Sequence, residues 1–328
     1  MQSLDFVIPL KAPGLITRAV LEGIDRLYRP RSILIITDLS LWKPIDYDIK
    51  TPLRCIDESC FFGEALSKQR LQERFDRNVG PDLSWRRPFG WWYQQILKLG
   101  CHQVVKDISQ PFYVVWDSDL IPLKRWDLVV DGKACTAILQ REAVIQKHFN
   151  FSEVTQEYSK ATLTLTGMPP LRPSVCGKEA LPKSFPGESY GTFVSHHMVF
   201  NAQYVQELLN LIIDVHQSKH GQKPLEWPLI FVDLAKDHFR VSEYELYQTY
   251  CFTRRKPANR YYPYEMHGAE GRARFNGGVR KDGINILSEL EKTFQLDSIK
   301  YDDIVQFVRS QIGRLFDEMP SYLQIDGV

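Results

Sequence analysis

The 328-residue chain carries 41 Lys and Arg against 40 Asp and Glu, a formal net charge of +1, with 44% hydrophobic and 12% aromatic residues. A balance so close to neutral argues against a dedicated nucleic-acid binder, which shows a basic surplus or stripe. The aromatic content excludes a disordered or low-complexity chain, and the length suits one large α/β domain with additions or two small domains.

No run approaches the roughly 18–20 consecutive apolar residues that span a bilayer, so no transmembrane segment is expected. The opening Met1-Gln2-Ser3-Leu4-Asp5 lacks the basic and apolar regions of a signal peptide. The six cysteines, Cys55, Cys60, Cys101, Cys135, Cys176 and Cys251, are scattered without a CxxC. Such usage fits reduced thiols better than a zinc or disulfide framework. A soluble cytoplasmic protein is the expectation.

Phe6-Val7-Ile8-Pro9-Leu10 predicts a first strand, closed by its proline. Residues 14–28 place Leu15, Ala19, Val20, Ile24 and Leu27 at helical spacing before Pro30. A second strand over 32–37 is apolar on both faces, so strand, helix and strand follow within forty residues, the pattern of a parallel βαβ unit. Further on, the pattern predicts a strand over 53–56 and helices over 62–75 and 91–99. The clearest strand is 112–116, and a hairpin over 126–139 turns at Asp131-Gly132. The proline-rich stretch 169–186 reads as a surface loop. A strand over 192–200 holds two histidines, and helices follow over 202–216 and 242–251, the latter capped by Ser242. Gly268, Gly271, Gly277 and Gly278 predict no regular element between 266 and 283, and a last amphipathic helix covers 302–319.

The strand over 112–116 runs straight into Asp117-Ser118-Asp119. Alternation along an extended chain lets Asp117 and Asp119 point the same way, at the strand end where open α/β sheets collect ligands. Two carboxylates there suit a hard divalent ion, Mg²⁺ or Mn²⁺, with phosphate oxygens completing the shell. Asp46-Tyr47-Asp48 has the same spacing but follows Lys43-Pro44 and no apolar strand, so it reads as a solvated turn. Upstream, Trp91, Gln94 and Gln95 share one face of the helix over 91–99. An aromatic face suits a base or a pyranose, and amides suit sugar hydroxyls; packing of that helix falls to Trp92, Ile96 and Leu99. His196 and His197, adjacent in a strand, would face opposite ways.

Taken together, the βαβ start and the strand ending in DxD resemble the GT-A nucleotide-sugar glycosyltransferases. Five pieces in consistent order are closer still to a little-characterised bacterial group of them. They are Phe6-Val7-Ile8-Pro9-Leu10-Lys11, then Gly90-Trp91-Trp92-Tyr93-Gln94-Gln95-Ile96-Leu97-Lys98-Leu99, then Val115-Trp116-Asp117-Ser118-Asp119. Val194-Ser195-His196-His197-Met198-Val199-Phe200 and Ser242-Glu243-Tyr244-Glu245-Leu246-Tyr247 complete the set.

The resemblance implies a GT-A-like, Rossmann-like fold: a mostly parallel central sheet flanked by helices over about 1–280, followed by a helical extension over 281–328. Residues 1–125 would form the donor half and 126–280 the acceptor half. It implies transfer from a nucleotide sugar, a UDP-sugar by family habit, to an acceptor hydroxyl in glycan synthesis, with Mn²⁺ or Mg²⁺ at Asp117 and Asp119. His267 becomes a candidate third metal ligand, and His196 and His197 candidates for the donor site. Lys11, Arg86 and Arg87 would meet the diphosphate, which arginine binds bidentately. An inverting transferase needs a carboxylate at the acceptor hydroxyl; Glu243 is preferred and Glu245 second, since residues two apart on a helix face differently. Two other functions stay open: a sugar-phosphate nucleotidyltransferase, for which Lys11-Ala12-Pro13-Gly14 is a poor glycine-rich loop, and a non-catalytic carbohydrate- or partner-binding protein, which the seven Trp would serve.

Overall fold

The computed structural model describes residues 3–42, 47–80, 88–138, 151–169, 193–221, 224–255, 259–263, 272–276, 299–311 and 322–326. The fold is α/β, with a sheet of mostly parallel strands ordered β3-β2-β1-β4-β8. These are β1 (Asp5–Pro9), β2 (Ser32–Thr37), β3 (Leu53–Asp57), β4 (Phe112–Trp116) and β8 (His197–Asn201). The chain divides into two compact units, one of residues 1–56, 114–127 and 264–328, the other of residues 57–113 and 128–263.

In the first unit β1 pairs in parallel with β2 from Asp5↔Ser32 to Pro9↔Ile36, and with β4 at Phe6↔Val114 and Val7↔Val115. Every residue of these three strands is buried. Burial on both faces is why they read as continuous apolar runs and not as alternation. Helix α1 (Thr17–Tyr28) buries Ala19, Val20, Leu21 and Ile24. Gly23 lets α1 come close to its neighbours: a Cβ there would stand 2.8 Å from the Tyr301 ring and 3.1 Å from Pro122. A second sheet orders β10 (Arg272–Asn276), β11 (Tyr322–Asp326) and β5 (Leu120–Pro122). The strand at 272–276 corrects the expectation of no regular element between 266 and 283. Its glycines bracket the strand, and β11 supplies a parallel partner from Arg272↔Tyr322 to Asn276↔Asp326.

Two carboxylates on α1 tie distant segments together. Glu22, 1% exposed, accepts from Arg18 Nε at 2.6 Å, from the Asp48 amide at 3.3 Å and from the Tyr301 amide at 2.9 Å. The last bond fixes the start of α8 (Tyr301–Ser310). Asp25 accepts from the Lys50 and Thr51 amides at 3.2 and 2.9 Å, which seats the chain entering β3. The amphipathic pattern expected over 302–319 is helical from Tyr301 to Ser310.

The second unit holds α2 (Lys68–Val79), α3 (Phe89–Val104), α4 (Phe151–Thr166), α5 (Ala202–His220), α6 (Trp227–Leu234) and α7 (Glu243–Arg254). A third sheet orders β6 (Val129–Val130), β7 (Lys133–Ile138) and β9 (Asn259–Pro263). Asp131 and Gly132 adopt left-handed φ of 51° and 71° between β6 and β7, as the sequence reading of a hairpin there requires. The helix expected over 62–75 begins later. Gly63 and a 3₁₀ turn at Glu64–Leu66 precede it, and Ser67 caps α2 by accepting from the Arg70 amide. At the start of β4 the Ala202 amide donates to Pro111 O at 2.9 Å. The end of β8 thus meets the start of β4. Among the described residues no helix is long and apolar enough to cross a membrane.

Removing Glu22 would leave the Tyr301 amide buried without its acceptor. Glu22→Ala should destabilise the protein by about 1–3 kcal/mol. Arg18→Ala, which removes a partly exposed partner, should cost below about 1 kcal/mol. Urea unfolding midpoints of the two variants check the ordering.

Candidate functional site

Trp116, 0% exposed, ends β4 in an aromatic cluster, with Phe6, Tyr28 and Tyr322 ring centroids at 5.8, 5.7 and 5.7 Å. Its indole Nε1 donates to Leu120 O at 2.7 Å, and the Leu120 amide donates to Asp117 O at 3.2 Å. These two bonds close the turn 117–119 between β4 and β5, so Asp117 and Asp119 leave the sheet on a fixed turn, both half-exposed.

His196 and His197 are not successive residues of one strand, as the sequence suggested. The strand begins at His197; His196 sits at a bend with φ of 64°. A left-handed residue cannot continue an extended strand, and it costs on the order of 1 kcal/mol for a residue with a Cβ. Ser195 supports the bend: its hydroxyl donates to His197 O at 2.6 Å, and its carbonyl lies 3.2 Å from His197 Nδ1. His197 is 3% exposed, whereas His196 is half-exposed.

Asp117, Asp119 and His196 each offer a ligand atom, and these atoms all lie within 4.8 Å of one another. A cation bonding oxygen and nitrogen at about 2.0–2.2 Å spans ligand atoms up to about 4.4 Å apart. Asp117 and Asp119, carried on one turn, therefore suit an ion. Two carboxylates and one imidazole suit Mn²⁺, which accepts nitrogen more readily than Mg²⁺ does. The sequence reading had assigned His196 to the donor and a metal role to His267. His267 lies outside the described residues, as do Arg86, Arg87 and Asp46. The sequence signal available for His196 was weak, a histidine at a strand edge; its turned backbone becomes visible only in the structure.

The remaining expected residues fall in three environments. Lys11 is exposed, two residues past the end of β1, whose neighbours are β2 and β4. Trp91 and Gln94 are half-exposed on α3. Gln95 is 3% exposed; it donates to Trp91 O at 3.2 Å and accepts from the Glu243 amide at 3.5 Å. It joins α3 to the first turn of α7.

Glu243 and Glu245 are each 2% exposed at the start of α7, where Ser242 accepts from the Glu245 amide at 3.3 Å, the cap the sequence indicated. Glu243 is ion-paired with Lys98 of α3 at 2.7 Å, both side chains 2% exposed, and the ammonium lies 4.9 Å from the Tyr244 ring centre. The sequence counted Lys98 only as part of a resembling segment. Its place one turn from Gln95 was the available sign, since residues three apart share a helix face.

With this geometry in view, comparison with known proteins gives a family relation. Residues 32–266, well over half of the chain, match the model of a family of unknown function (DUF6492), and the chain belongs to that family. No curated protein matches it.

The buried pair yields a stability test. Removing one partner strands the other charge, at a cost of about 3–5 kcal/mol, while apolar replacement of both is often close to neutral. Glu243→Ala should lower the unfolding free energy by that amount, and Lys98→Met with Glu243→Leu should recover most of it, both read from chemical denaturation.

Proposed function

We propose that this protein is a metal-dependent glycosyltransferase with a GT-A-like fold, moving a sugar from a nucleotide-sugar donor to an acceptor hydroxyl. The observation that carries this reading is the pair Asp117 and Asp119, set on a turn braced by Trp116 beyond a buried strand of a mostly parallel sheet. The site would hold Mn²⁺ in preference to Mg²⁺. When bound, such an ion neutralises charge on the departing diphosphate.

The chain's own residues do the rest. Asp117 and Asp119 hold the ion on a turn braced by Trp116, and His196 closes the set. Lys11, exposed beyond the end of β1, adds positive charge for phosphate. Trp91 and Gln94 keep enough exposure on α3 to stack on a ring and to hydrogen-bond hydroxyls. Gln95 supports a helix instead. No acceptor base is assigned: Glu243 spends its carboxylate on Lys98, and Glu245 is equally buried.

Calorimetry of UDP with and without Mn²⁺ tests the donor side. Asp119→Ala should abolish the Mn²⁺-dependent part of binding while circular dichroism stays native; unchanged affinity would overturn the assignment. Slow release of nucleoside diphosphate from UDP-sugars supports a transferase, whereas pyrophosphate exchange identifies a nucleotidyltransferase.

His196 gives a test with opposite signs. Glycine adopts left-handed φ without penalty, so His196→Gly should relieve backbone strain on the order of 1 kcal/mol, offset by the loss of the ring's own interactions. The same change should weaken Mn²⁺ binding. Thermal unfolding and metal titration together separate the two effects.

A further inference from the structure

Helix α5 buries Val205, Leu208, Leu209 and Ile212 along one face. One turn beyond Ile212 that face reaches His216, and one turn further His220. Side chains four apart are neighbours on a helix, and these two rings lie 4.6 Å apart between centroids, inclined by 41°. Before Gly221, whose left-handed φ of 60° ends the helix, they occupy its last two turns.

His216 is half-buried, and its Nδ1 is buried with no hydrogen-bond partner among the described residues. Burial lowers its pKa, and His220 lowers it further; Arg74 and Lys219 act in the same direction while Asp233 opposes them. At neutral pH it is therefore a neutral imidazole with a lone pair to give. The Asp233 carboxylate is held by Arg74 Nε at 2.6 Å and Asn78 Nδ2 at 2.8 Å. It lends negative charge to the neighbourhood without being available as a ligand.

Two histidines four apart on a helix are the spacing with which one helix supplies two ligands to zinc. Imidazole nitrogen favours Zn²⁺, Cu²⁺ and Ni²⁺ over the hard ions that carboxylates prefer. We infer that His216 and His220 form a chelating pair for a Zn²⁺-class ion, with water completing the shell. The pair shares no residue with the Asp117, Asp119 and His196 group, and its existence does not depend on the function proposed for that group. Its consequence is local: the ion would clamp the last turn of α5.

Calorimetric titration of Zn²⁺ into Asp119→Ala protein tests the site, because that background weakens the other candidate group. One Zn²⁺ isotherm is expected there, with a rise in melting temperature, since an ion that binds only the folded state stabilises it. Both should vanish in Asp119→Ala with His220→Ala. His220 is exposed, so the metal-free melting temperature of that double variant should equal that of its parent. Absence of Zn²⁺ binding in the Asp119→Ala background overturns the inference. So does an isotherm and a thermal shift that survive loss of His220, which would point to thiols such as exposed Cys60.

Discussion

The hydrogen bond from the Trp116 indole to the Leu120 carbonyl decides where the two aspartates go. A turn of three residues after a strand has many conformations, and DxD spacing alone selects none of them. The indole is itself immobilised by Phe6, Tyr28 and Tyr322 around it. Rigidity thus passes from an aromatic cluster, through one N–H, into a turn whose own residues are polar and half-exposed. A phenylalanine would keep an aromatic ring there but leave a small cavity and could not donate, so the turn would lose its brace.

Elsewhere the protein spends buried charge on joining segments far apart in sequence. Glu22 gathers residues 18, 48 and 301; Asp25 gathers 50 and 51; Glu243 faces Lys98 across 145 residues. The segments they hold include the loop at 48–51 and the starts of two helices, where apolar packing gives little direction. Hydrogen bonds specify geometry there more sharply than contact area can. Such a carboxylate and a general base look alike in a sequence, since either is an acidic residue beside an apolar run.

Legibility in the sequence follows the same division. The buried strands at 5–9, 32–37 and 112–116 could be read because burial on both faces leaves uninterrupted apolar runs. The Asp131-Gly132 turn could be read because few residues tolerate positive φ. By contrast α6, Trp-Pro-Leu-Ile-Phe-Val-Asp-Leu, is apolar nearly all round and shows no period, and α4 is rich in threonine and serine. Both went unread for want of an amphipathic pattern. Asp117 and Asp119 were visible from their strand. His196 was not visible as their companion, because its position depends on one backbone angle. Glu243 was visible as a carboxylate but not as the partner of Lys98, since pairing across two helices leaves no local trace.

The short strand β5, which begins one residue after Asp119, has as its ladder partner β11, paired antiparallel from Tyr322↔Pro122 to Gln324↔Leu120. About two hundred residues must leave the ribosome between the aspartates and the strand that secures their neighbour. During synthesis the DxD segment is consequently exposed with an unpaired edge long after β1, β2 and β4 can assemble. Long-range pairing of this kind forms late and slowly. The nascent chain can pair β1, β2 and β4 early, while the acidic turn gains its neighbouring ladder only once β11 has emerged, a built-in delay between the sheet and the turn at its edge.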